Sequence, residues 1–209
     1  MRTMRALAIV LVMMSGTAQA QVGKSLGVVD ANTAAEKDLL AMPHMDAARA
    51  KAIVEKRPFS SITELNALLL AQGLTQQQAA EFYGKAFVHI NLNTATPDEI
   101  LLVPGAGKRM VHEFAEYRPW KSYAQFDKEI GKYVGAERTS QLAQYTFIPV
   151  RLNTGSDQDI LSIPGAGQRM VREFKEYRPW KTKEQFLKEI GKYVGAKDAE
   201  RMWRYVVID

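Results

Sequence analysis

A block of sixty residues occurs twice in succession without an insertion or deletion, and no other feature constrains the fold of this chain as tightly. Leu92-Asn93-Thr94 returns as Leu152-Asn153-Thr154, Glu116-Tyr117-Arg118-Pro119-Trp120-Lys121 as Glu176 to Lys181, and Lys128 to Ala136 as Lys188 to Ala196. A third, diverged copy lies upstream, one residue further out: Asn32-Thr33, Leu39-Leu40-Ala41-Met42-Pro43, Arg57-Pro58-Phe59 and Leu65 fall on the same positions. A unit of this length repeats a supersecondary motif that buries its apolar face against its neighbours. The units are residues 28–89, 90–149 and 150–209, and residues 21–27 read as a loose linker. Phe87-Val88-His89-Ile90 and Phe147-Ile148-Pro149-Val150 are too short and too apolar for flexible tethers, so the units should pack together.

Punctuation within a unit predicts four short helices. Thr96-Pro97-Asp98-Glu99 is a capping box with proline at the first helical position, and Ser156-Asp157-Gln158-Asp159 is its weaker counterpart. Pro104 ends that helix, because its ring disfavours helical geometry at the residue before it. Met110, Val111, Phe114 and Tyr117 then form one buried stripe of a second helix, which Arg118-Pro119 stops. Capping boxes at Ser61–Glu64, Ser122–Gln125 and Thr182–Gln185 open a third helix, and Gly73, Gly135 and Gly195 break the chain before a fourth. The expected class is all-α, with tandem units each made of two helix-turn-helix pairs. Phe59, Trp120 and Trp180, with Tyr117 and Tyr177, read as core anchors, the alternative being platforms for stacked bases. Arg57, Arg118 and Arg178 read as structural bridges or carbonyl caps, the alternative being phosphate contacts, since they lie at the far end of the second helix from the turn that opens it.

The first residues read as a secretory signal: Arg2 and Arg5, an apolar run from Ala6 to Met14, then Thr17-Ala18-Gln19-Ala20 with cleavage before Gln21. That run is about half of the roughly 20 residues needed to span a bilayer, so no membrane insertion is expected after cleavage. The chain contains no cysteine, which excludes disulfides, thiolate nucleophiles, cysteine metal sites and a lipid anchor on sulfur. A net charge of +5 falls to +3 without Arg2 and Arg5, and the excess is uneven. Residues 28–89 carry six basic and seven acidic groups, residues 90–149 seven of each, and residues 150–209 twelve against nine.

Between the first and second helices stands Val103-Pro104-Gly105-Ala106-Gly107-Lys108-Arg109-Met110-Val111, repeated as Ile163-Pro164-Gly165-Ala166-Gly167-Gln168-Arg169-Met170-Val171. Two glycines one residue apart permit positive φ and close backbone approach. The amides that open the following helix then face outward at the positive end of a dipole, a site suited to an anion such as phosphate. The same pattern also serves as a plain αα-hairpin turn.

Asn91-Leu92-Asn93-Thr94-Ala95, followed by Leu-x-x-Pro-Gly-x-Gly and by Tyr-Arg with an aromatic after proline, resembles the helix-hairpin-helix domain of the ComEA-type competence proteins. The resemblance covers all three units. It implies an exported receptor for double-stranded DNA in which hairpin amides grip a phosphate across the minor groove without reading sequence. By position that role falls on Gly105, Ala106 and Gly107 with Lys108 and Arg109, and on Gly165, Ala166 and Gly167 with Gln168 and Arg169; Arg172 and Lys175 stand behind the second set. Such contacts give salt-dependent affinity and no direct base readout. The departures are His44-Met45-Asp46 in place of the first glycine turn, a lost glycine in Tyr133-Val134-Gly135 and Tyr193-Val194-Gly195, and Glu113, Glu116, Glu173 and Glu176 on the helices that would face the duplex.

No catalytic constellation emerges. His44, His89 and His112 do not recur between units, and no metal-ligand spacing, nucleophile elbow or longer phosphate loop is present. No cofactor and no small-molecule substrate is expected. The expected partner is duplex DNA or, alternatively, an envelope protein for which the array is a non-catalytic scaffold, in the periplasm or secreted.

Overall fold

The computed structural model describes residues 21–209, so the expected signal segment lies outside the described residues. Unit one runs β1 (Val29–Asp30), α1 (Glu36–Leu40), α2 (Ala47–Lys56), α3 (Ile62–Ala71), α4 (Gln76–Tyr83) and β2 (Ala86–Phe87). Unit two runs β3 (Ile90–Asn91), α5 (Pro97–Leu101), α6 (Lys108–Glu116), α7 (Tyr123–Ala143) and β4 (Thr146–Phe147). Unit three runs β5 (Val150–Arg151), α8 (Asp157–Ser162), α9 (Gln168–Glu176), α10 (Lys183–Val194), α11 (Ala196–Trp203) and β6 (Val206–Val207). The fold is therefore mostly helical, and the all-α expectation needs one correction. In each unit the first strand pairs in parallel with the last: Val29 lies opposite Ala86, Ile90 opposite Thr146 and Val150 opposite Val206. Buried connectors must satisfy their backbone groups, and these do so by closing each unit end to end. Two-residue strands are too short to show an alternating pattern in sequence.

Helix starts follow the caps. Ser61, Ser122 and Thr182 each accept from the amide three residues on, while Glu64, Gln125 and Gln185 reach back to the amides of Ser60, Lys121 and Lys181. Gly135, at φ 77° and ψ 165°, breaks α7 into two limbs, just as Gly195 at φ 82° separates α10 from α11.

Phe59, Trp120 and Trp180 are the buried anchors the sequence suggests, at 0%, 2% and 1% exposed. An asparagine side chain clamps the backbone of each. Asn93 accepts from the Trp120 amide at 2.6 Å and donates to its carbonyl at 3.0 Å; Asn153 does the same to Trp180 at 2.7 and 3.1 Å, and Asn32 to Phe59 at 2.7 and 3.1 Å. Arg118 donates to the carbonyls of Leu92 and Ala95 at 2.8 and 2.6 Å, and Arg178 to those of Leu152 and Gly155, both at 2.7 Å. Arg57 departs from this pattern: its buried Nε and Nη2 have no hydrogen-bond partner among the described residues.

One apolar core is continuous through units one and two, including Leu65, Phe82, Ile100 and Phe114. A second fills unit three and takes in Phe147 and Val22 from outside it. Units one and three also meet through polar groups. Asp30 accepts from Tyr205 Oη at 2.8 Å and from the Asn32 amide at 2.9 Å, and lies 3.0 Å from His89 Nδ1. Arg204 donates to the His89 carbonyl at 3.2 Å. Asp30, His89 and Tyr205 are 6%, 5% and 0% exposed. Burial pushes the Asp30 carboxyl up, but the hydrogen bonds from His89 and Tyr205, with the charges of His89 and Arg201, hold it below its ordinary 3.8.

The expectation of a loose linker at 21–27 is overturned for its first half. Gly23 donates to the Thr146 carbonyl at 3.1 Å, the Ile148 amide donates to the Gln21 carbonyl at 2.7 Å, and Val22 pairs antiparallel with Phe147. This strap covers the outer edge of β4, whose backbone groups would otherwise lack partners. At the other terminus, the side chains of Asp30 and Asn91 each accept the amide two residues on, a role Arg151 cannot fill. Asp209 Oδ1 supplies it in unit three, accepting from the Asn153 amide at 2.8 Å.

Candidate functional site

The two glycine turns are nearly superposable in their torsions. Gly105 and Gly165 take φ 78° and 79°, and Gly107 and Gly167 are extended N-caps with φ −110° and −115°. Having no side chain, those caps leave the first amides of α6 and α9 without the side-chain acceptor most helices carry. In unit one His44 takes the equivalent conformation at φ 61°, and Asp46 caps α2 by accepting from the Arg49 amide at 2.9 Å. That turn is filled by its own carboxylate.

Around the open turns, Gly105, Gly107, Lys108 and Arg109, and likewise Gly165, Gly167, Gln168 and Arg169, are exposed, while Ala106 and Ala166 are half-buried. The cations differ in how free they are. Arg109 lies over the Tyr133 ring at 4.4 Å with its Nε 3.7 Å from Glu113, and Arg169 over Tyr193 at 4.7 Å. Lys175 Nζ sits 2.8 Å from Asp157. Lys108 and Arg172 are exposed and have no ion-pair partner among the described residues. Of the acids expected to face the duplex, Glu113 and Glu173 instead turn inward, at 7% and 8% exposed, while Glu116 and Glu176 remain outside. Tyr117 and Tyr133 share a hydrogen bond of 2.8 Å, which together with burial and the nearby Glu113 raises the Tyr133 phenol above its ordinary 10.0.

Two arginines that the sequence did not single out lie against the turns. The Arg138 guanidinium rests on Gly105, where any Cβ would overlap Nη2, and donates to Gln141 at 2.8 Å. Arg201 is 3% exposed and donates to the Pro164 carbonyl at 2.5 Å and to Asp198 at 2.9 Å. Gly165 faces its Nη2, with the Thr33 methyl of unit one close by. Arg138 aligns with Asp198, and Arg201 with Gln141, so comparing the repeats conceals their shared role. Helix dipole, open amides and adjoining guanidinium groups together suit an oxyanion.

Among the described residues no group of three or more His, Asp or Glu could hold a metal ion, and no helix is long and apolar enough to cross a membrane. No family model, no curated protein and no solved structure matches this chain.

Proposed function

We propose that the protein is an exported, non-sequence-specific double-stranded DNA-binding protein of the ComEA-like helix-hairpin-helix kind, gripping phosphates through the turns of units two and three and acting in DNA uptake. The observation that carries this reading is the pair of exposed, uncapped glycine turns opening α6 and α9, each beside cations, where unit one puts Asp46. The inward turn of Glu113 and Glu173 supports it by removing two negative charges from the face a duplex would meet.

A mobility-shift titration of residues 21–209 with random duplex DNA tests it. Neutralising about three phosphates lowers affinity about 40-fold between roughly 50 and 200 mM salt. Lys108→Glu with Arg109→Glu should weaken binding at least tenfold and flatten that dependence; no shift at low salt, or unchanged binding by folded variants, defeats the reading. The second reading, a non-catalytic envelope scaffold, is favoured by one observation. Arg201 is buried and tied to Pro164 beside Thr33, so the turn of unit three also serves to pack units together.

A further inference from the structure

Arg57, Arg118 and Arg178 occupy one position in three units, and two of them are saturated. Arg118 and Arg178 each donate to two backbone carbonyls. The Arg57 side chain makes no hydrogen bond or ion pair among the described residues, and its Nε and Nη2 are shut off from solvent. Two guanidinium nitrogens of a half-buried side chain left in this state cost desolvation that only the nearby charge of Asp30 partly offsets. Burial accordingly pushes its pKa below the ordinary 12.5, against a smaller opposing effect of Asp30.

The side chain lines a cavity of about 460 Å³ between units one and three, together with Asn32, Lys197 and Arg201. Three cations thus border one cavity. Lys197 is exposed and has no ion-pair partner among the described residues. Arg201 is fixed by Asp198 and the Pro164 carbonyl. Asp198 is the one acid on the cavity wall, and its charge is already matched by Arg201. Asp30 stands behind Arg57 with its carboxylate held by His89, Tyr205 and the Asn32 amide.

We propose that this cavity is a phosphate site, in which Arg57 and Lys197 hold a tetrahedral phosphate group against the inter-unit junction. Arg57, Lys197 and Arg201 give the cavity a positively charged wall that attracts such an oxyanion, and its volume accommodates a phosphate with some of its water. The site shares Arg201 with the turn that opens α9 and lies apart from the turn that opens α6. Its phosphate comes either from a free phosphate or from a nucleic-acid backbone.

Inorganic phosphate, titrated into residues 21–209 and followed by amide and arginine Nε–H chemical shifts, decides the matter. Saturable shifts at Arg57 and at Val194 to Asp198 in the millimolar range are expected, with a loss of at least tenfold in affinity in Arg57→Gln and in Lys197→Gln. Lys197 is exposed, so its variant keeps the test informative if Arg57→Gln loses its fold. Lys108→Glu should leave these shifts unchanged, which separates this site from the turn that opens α6. If Arg57→Gln also weakens duplex binding, the phosphate is a backbone one; if duplex binding is unaltered while phosphate binding is lost, it is free. Absence of saturable shifts, or unchanged affinity in both Gln variants, overturns the proposal.

Discussion

Asn93 does with one side chain what a neighbouring strand would do with two backbone groups, and its carboxamide is the sole partner holding both polar atoms of Trp120's peptide unit in place. Replacing it with alanine leaves a buried amide and carbonyl without partners, so Asn93→Ala should lower stability by about 2–3 kcal/mol in urea unfolding. Asp30 offers a pH-dependent counterpart. Its folded pKa is depressed, so its contribution is full above the unfolded value near 3.8 and is lost as pH falls through the lower folded value. Asp30→Asn should therefore cost about 3 kcal/mol at pH 7, and the gap between variant and parent should close in acid below about pH 4. A gap that is flat across that range would show that the carboxylate's charge does not matter. At this scale the sequence was partly legible: the recurrence of Asn32, Asn93 and Asn153 marked a required position, but not that each would seize a backbone 27 residues away.

Helix boundaries were readable because caps and breakers act over three or four residues. The break inside α7 shows how sharply: Gly135 and Gly195 combine positive φ with ψ of 165° and 163°, a region essentially closed to any residue with a Cβ. No atom lies within 4 Å of a Cβ placed at either, so substitution there tests the torsion alone. Gly135→Ala should cost about 2–3 kcal/mol in chemical denaturation, and Gly195→Ala the same. An effect below about 0.5 kcal/mol would mean that the limbs of α7 can straighten. The ladders were illegible for the opposite reason. Their partners lie 56 or 57 residues apart, and each strand is two residues long. Arg138 and Arg201 were hidden in the same way, since they reach the turns from non-equivalent positions on the fourth helices.

For the molecule as a whole, the junction of units one and three turns on one phenol. Tyr205 donates to Asp30 across 175 residues of sequence, and its own pKa is raised well above 10.0 by burial and by that carboxylate. Tyr205→Phe keeps the ring packed on Phe147 at 4.6 Å but removes the donor. Stability should fall by about 1–2 kcal/mol, and hydrogen exchange should accelerate in β1 and α11 more than in α3. Uniform acceleration would mean that the three units open only together. The strap carries a different consequence, one of timing. Gln21 to Gly23 leave the ribosome more than a hundred residues before Thr146, Phe147 and Ile148, the edge on which they dock. The earliest part of the described chain to emerge therefore stays undocked until β4 is made, and over that interval the strap, with its apolar Val22, is open to whatever chaperone or neighbouring chain is present.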